Sequence, residues 1–123
     1  MTEVRIAGRR YRIEAVEQSG AWLAHAERVD TGDAFGPEHA GATAREAVER
    51  LTGWLGWQAE HSAALEALQQ AERAYHRTIT GSAFVGPFKG PGAIETHKEA
   101  LGQVESARTR LDQVRARRPR ETT

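Results

Sequence analysis

At 123 residues the chain has room for one domain of ordinary size and a small appendage. Its 17 basic and 17 acidic side chains cancel, which argues against an overall nucleic-acid coat or an acidic tail. The absence of cysteine excludes disulfides, thiolate metal sites and a cysteine nucleophile.

Residues 3–29 read as strands. Val4 and Ile6 alternate with polar neighbours, and Gly8-Arg9 can turn the chain. Tyr11, Ile13 and Ala15 then alternate with Arg10, Arg12 and Glu14, the period of two of a half-buried strand. Gln18-Ser19-Gly20 signals a turn. Ala21 to Val29 reads as the next strand, with Trp22 and Leu23 near its start and alanines on both of its faces. Residues 30–42, DTGDAFGPEHAGA, are rich in Gly, Asp and Pro. They predict a loop, with at most a short strand around Ala34-Phe35 or Glu38-His39.

Thr43-Ala44-Arg45-Glu46 is a capping box. The Thr43 hydroxyl accepts the amide three residues on, and Glu46 reaches back to the Thr43 amide. Ala44, Ala47, Val48, Leu51 and Leu55 then form the apolar stripe of a helix packed on a sheet. The pattern continues through Leu65, Leu68, Tyr75 and Ile79 to a stop at Gly81. Gly53 and Gly56 interrupt it, each weakening a helix by roughly 1 kcal/mol relative to Ala, and they predict a bend or break near Gly56. Residues 81–92, GSAFVGPFKGPG, cannot stay helical. A second helix starts near Ala93, carries Ile94, Leu101, Val104, Leu111 and Val114, and stops before Pro119.

Residues 58–80 and 93–117 would make helices of roughly 35 and 37 Å at 1.5 Å per residue. Matched lengths joined by one loop predict an antiparallel hairpin of coiled-coil type. Alanines at 59, 63, 64, 67, 71 and 74 would face alanines at 93, 100 and 107. The fold expected is α+β: a small antiparallel sheet packed on a long helix (1–57), a helical hairpin (58–118) with its loop at 81–92, and a flexible tail (119–123). Residues 1–60 carry 7 basic and 10 acidic groups, and residues 61–123 carry 10 and 7. This mild asymmetry would help two copies or two partners orient.

The first half has a recognisable order. A strand, RRYRIEAV, leads to a turn ending in glycine and to a strand beginning AWLAHA. A Gly-containing loop follows, then Gly41-Ala42-Thr43-Ala44-Arg45-Glu46-Ala47, running into Leu51 and the Trp54-Leu55 pair. This resembles the HicB-like small domain, a β-β-β-α unit whose helix begins on G-x-T-x-x-E-A, and the resemblance covers about residues 3–57. It implies the fold of that family, which is associated with antitoxins of toxin–antitoxin pairs and with many stand-alone proteins. The chain departs from the family pattern in loop 30–40, which lacks its proline-rich turn. It departs again in the second half, which has a helical hairpin and no ribbon-helix-helix or helix-turn-helix DNA reader.

No catalytic constellation assembles. The histidines at 25, 39, 61, 76 and 97 make no HExxH pattern. His76 and His97 flank the loop, so an antiparallel hairpin brings them to one end, with Glu72, Glu95 and Glu99 near in sequence. Metal sites need at least three converging ligands, so no metal and no cofactor is expected. G-x-S-x-G and the Walker A pattern are absent. In Gly86-Pro87-Phe88-Lys89-Gly90 the proline removes a backbone donor, and no strand precedes it. An enzyme is therefore not expected.

Candidate binding residues fall in two groups. Between residues 108 and 120 six arginines face one acid, Asp112. Arg110, Arg115, Arg117 and Arg118 are candidate phosphate contacts, although cations are also favoured at a helix C-terminus, and nucleic acid is the less favoured partner. The second group is Trp54, Trp57 and the loop residues Phe84, Val85, Pro87 and Phe88. One stripe cannot bury two tryptophans three apart beside Leu51 and Leu55, and apolar side chains at a hairpin tip lack a core. The plainer readings are that the tryptophans cover the sheet–helix junction and that the loop caps its own hairpin. Two functions stay open. One is a non-catalytic interaction or oligomerisation module that holds a protein partner or a second copy. The other is a HicB-like antitoxin or regulator that binds a small ribonuclease toxin or nucleic acid. No apolar run approaches the roughly 18 residues of a membrane span. MTEVRIAGRR lacks the pattern of a secretory leader, so a cytoplasmic protein without membrane contact is expected.

Overall fold

The computed structural model describes residues 2–84 and 91–119, with the backbone alone described for 80–84 and 91–93. Four strands, β1 (Thr2–Ile6), β2 (Arg9–Gln18), β3 (Ala21–Arg28) and β4 (Ala34–Gly41), precede two helices, α1 (Ala44–Phe84) and α2 (Pro91–Ala116). The strands form one antiparallel sheet in the order β1-β2-β3-β4. This is the α+β architecture expected from the sequence. The chain divides into two compact units, residues 1–59 with 118–123 and residues 60–117, and the boundary falls inside α1.

In the first unit the two-residue period decides the core. Tyr11 and Ile13 on β2 and Ala24 and Ala26 on β3 are buried against Ala47, Leu51, Trp54 and Leu55 of α1. Tight turns set the register. Ala7 and Gly8 join β1 to β2, and Ser19 and Gly20 join β2 to β3, all four with positive φ. Two-residue loops of that kind match the right-handed twist of the strands they connect.

Residues 30–42, expected to be mostly loop, hold the eight-residue strand β4. The Gly-Pro pair that suggested a loop sits in a bulge. Ala26 pairs with Phe35 and Ala24 with His39, so three residues of β4 oppose one of β3. A bulge is where a sheet tolerates glycine and proline. Gly36 has φ +81, and a Cβ there would stand 2.5 Å from the Trp54 ring, so this glycine makes room for a tryptophan eighteen positions on. His39 is fully buried. Its Nδ1 lies 3.1 Å from the Pro37 carbonyl, which can only accept, so Nδ1 carries the proton. His39 Nε2 and Trp54 Nε1 are buried without a hydrogen-bond partner.

The start of α1 is the capping box with one amendment. The Glu46 amide donates to Thr43 Oγ1 at 3.1 Å, but the Glu46 carboxylate takes the amide of Ala42 at 3.2 Å, not that of Thr43. The expected break at Gly56 is absent, and α1 runs unbroken for 41 residues, past Gly81 to Phe84. Nearly complete burial of Leu51, Trp54 and Leu55, at about 1.5–3 kcal/mol each, outweighs roughly 1 kcal/mol lost at each of Gly53 and Gly56.

Candidate partner-binding face

In the second unit the buried and half-buried positions on α1 form a row of His61, Ala64, Leu68, Ala71, Tyr75 and Thr78, with Leu65, Glu72 and Ala74 half-buried beside it. On α2 they are His97, Ala100, Val104, Ala107, Leu111 and Val114. The spacings alternate three and four on both helices, the seam of a coiled coil. Cross-helix contacts fix an antiparallel register. Thr78 Oγ1 lies 3.1 Å from His97 Nδ1, and the Tyr75 and His97 rings are 5.1 Å apart. Near the other end Arg115 Nε donates to His61 Nε2 at 3.4 Å, and Arg117 pairs with Glu60 at 3.3 Å. The same register sets Ala64 opposite Leu111, Leu68 opposite Ala107, Ala71 opposite Val104 and Tyr75 opposite Ala100. Each of these layers joins one small side chain to one large one.

Four large apolar side chains are well exposed among the described residues. Val16 is on the sheet, while Ile79 (42%), Ile94 (53%) and Leu101 (40%) are on the hairpin. Each of the hairpin three stands at the heptad position next to the seam, on one flank. The sequence reading grouped Ile94 and Leu101 with Val104, Leu111 and Val114 as the apolar residues carried by the second helix. The structure separates them, because a 3.5-residue seam through Ala100 and Ala107 leaves position 101 one step outside. A groove of about 260 Å³ opens on this flank, with Val104 at its floor and Glu72, Tyr75, His76, Leu101, Glu105 and Arg108 around it. The opposite flank carries Glu60 paired with Arg117, exposed Ala67, Gln103 and Arg110, and half-buried Ala74.

The sequence-expected residues are scattered. Trp54 is a core residue, 7% exposed, seated on Gly36 and 6.1 Å from each of the Phe35 and His39 rings. It offers no surface to a partner, because the bulge in β4 supplies the pocket that one helical stripe could not. Trp57 is half-buried against the same core, with the Arg118 guanidinium 5.3 Å above its ring. Arg115 and Arg117 turn toward α1, and Arg110 is exposed. Phe84 ends α1, and its side chain, with Val85, Pro87 and Phe88, lies outside the described residues.

His76 borders the groove, whereas His97 faces Tyr75 and Thr78. The Thr78 hydroxyl donates to the Tyr75 carbonyl at 2.6 Å, so it accepts from His97 Nδ1–H and fixes that tautomer. Among the described residues no group of three or more His, Asp or Glu could hold a metal ion, and no helix is long and apolar enough to cross a membrane. None of the described alanines expected to face each other does so, because the register sets each seam alanine opposite a larger side chain, and the side chain of Ala93 lies outside the described residues. Ala64, Ala71, Ala100 and Ala107 are in the seam, while Ala63 and Ala67 are exposed.

The sequence reading missed the flank itself: Leu65, Glu72 and Ile79 on α1, and Ile94, Leu101 and Arg108 on α2. A heptad count would have found it, since Leu65 and Ile79 are fourteen apart and Ile94 and Leu101 seven. Comparison of the chain with family models, with curated proteins and with solved structures finds no match.

Proposed function

We propose that the chain is a non-catalytic protein-interaction module whose helical hairpin holds a protein partner through the flank that carries Ile94 and Leu101. One observation carries this reading. Three of the four well-exposed large apolar side chains among the described residues fall on one flank of one hairpin, and one of them, Leu101, lines a groove there. Singly scattered apolar residues are normal on a surface, but a contiguous set beside a groove marks an interaction site. The direct test places a photo-activated cross-linking amino acid at position 101 and, as a control, at position 12 on the sheet. Adducts at 101 that excess unlabelled chain competes away support the reading. Equal adducts from both positions, or none, overturn it.

The second reading, a HicB-like regulator that holds a small ribonuclease toxin or nucleic acid, draws support from the first unit. There several strands lead to a helix that starts on Gly41-x-Thr43-x-x-Glu46-Ala47. Each motif residue also has a local job. Gly41 admits the helix start, Thr43 and Glu46 cap it, and Ala47 is fully buried. The nucleic-acid branch is weakened because Arg115, Arg117 and Arg118 already engage His61, Glu60 and Trp57.

A further inference from the structure

We propose that the occupant of this flank is a second copy of the same chain, laid antiparallel on the first with Leu101 at the two-fold axis. This deepens the interaction reading and rests on it. Ile94, Lys98, Leu101, Glu105 and Arg108 are all exposed on α2. Their spacings of four, three, four and three make a second seam beside the first. A two-fold contact must be self-complementary: residue i meets residue j, and j meets i. About Leu101 this row is. Leu101 meets Leu101, Lys98 meets the partner's Glu105, and Glu105 meets the partner's Lys98. Ile94 meets the partner's Arg108, whose aliphatic stem can cover it while the guanidinium stays in water. A parallel alignment of the same rows would stack lysine on lysine and glutamate on glutamate, so the charges select one orientation. The groove between Leu101 and Tyr75 is open to the apolar side chains of the second copy.

The contact patch is short, so the dimer should form in the micromolar range, and sedimentation equilibrium from about 1 µM to 1 mM spans it. The wild-type chain should shift from monomer to twice its mass across that series. Leu101→Glu should remain monomeric with its helical circular dichroism intact, because position 101 is 40% exposed and outside the inner seam. Lys98→Glu and Glu105→Lys should each weaken association at least tenfold, since each puts like charges together twice. The double variant Lys98→Glu/Glu105→Lys should return the affinity to within about threefold of wild type; that rescue is specific to a self-complementary row. A wild-type chain that stays monomeric throughout overturns the second-copy proposal, as does a double variant as weak as either single one. If the chain is monomeric yet position 101 cross-links a protein of different mass, the interaction reading stands and the second copy is wrong. If it is monomeric and position 101 yields no adduct, both fall.

Discussion

Gly41→Ala and Gly53→Ala are the same chemical change, and the structure gives them opposite signs. At Gly41 an added Cβ would stand 2.5 Å from the backbone nitrogen of Ala47 and 3.0 Å from both the carbonyl carbon and the Cβ of Glu46. Gly41 is not among the glycines with positive φ, so the demand is steric. The obstructing atoms are mostly the backbone of the first turn of α1, which cannot rotate away as a side-chain tip would. The helix start must move, and that movement strains the 3.1 and 3.2 Å cap bonds and displaces the fully buried Ala47 and Leu51. Overpacking costs about 1–3 kcal/mol and a damaged cap about 1, so Gly41→Ala should destabilise by about 2–4 kcal/mol. At Gly53 nothing lies within 4 Å of an added Cβ and the site is mid-helix. Gly53→Ala should therefore stabilise by about 0.5–1 kcal/mol. All three tryptophans, Trp22, Trp54 and Trp57, belong to the first unit. Urea unfolding followed by tryptophan fluorescence therefore reads that unit. A Gly41→Ala protein within about 0.5 kcal/mol of wild type, the usual range of an inconsequential surface change, would refute the close approach.

Other variants probe the rest of the fold and the competing function. Thr43→Ala should cost about 1 kcal/mol by the same fluorescence assay, the usual worth of an N-cap hydroxyl. In the hairpin, Leu111→Ala should cost about 2–5 kcal/mol and Ala64→Leu about 1–3, followed by circular dichroism. Because the register sets these two side chains opposite each other, the double variant should recover at least about 1 kcal/mol of the summed loss. Strict additivity in that cycle would place them in different layers. For the nucleic-acid reading, fluorescence anisotropy with short single-stranded and duplex RNA should show no submicromolar complex near physiological salt. A complex whose affinity falls steeply with salt would restore the arginines as phosphate contacts.

Much of the sheet was legible, because Tyr11, Ile13 and Ala15 alternate cleanly with Arg12 and Glu14 and their neighbours are good turn formers. β4 was hidden by Gly36 and Pro37, which mark a turn in sequence but a bulge in space. The place of Trp54 was hidden with it, since the room for its ring is a missing side chain eighteen residues earlier. The start of α1 was readable from Thr43 and Glu46, because capping is chemistry among near neighbours. Its continuity past Gly56 was not, because burial of Leu51, Trp54 and Leu55 depends on a sheet that the helix residues do not encode by themselves. In the hairpin, helix lengths were readable but the seam was blurred. Alanine stands at seam positions 64 and 71 and at exposed positions 63 and 67 alike, so apolarity alone does not reveal the 3.5-residue period.

That ambiguity bears on function. A two-helix seam in which four layers spend one member on alanine or a comparably small group buries little area, and short helical hairpins are marginal without further packing. A hairpin that needed only solvation would carry charged residues on both flanks. One flank comes close to that rule, with Glu60 paired to Arg117, Gln103 and Arg110 exposed, and no described apolar side chain larger than the alanines at 67 and 74. The other breaks it at four places, half-buried Leu65 and exposed Ile79, Ile94 and Leu101, and is charged at Glu72, Arg108 and Arg115. Helices in bundles carry apolar residues at the two seam positions plus one flanking position, whereas a pair that is complete by itself needs the seam alone. The pattern on α2 is therefore that of a helix with a neighbour on two sides. α1 supplies one, and in the interaction reading proposed above the partner supplies the second. The placement of Lys98 and Glu105 three and four residues either side of Leu101 is what favours an identical chain for that role. A foreign partner would need only one complementary charge row and would leave this row free of any symmetry.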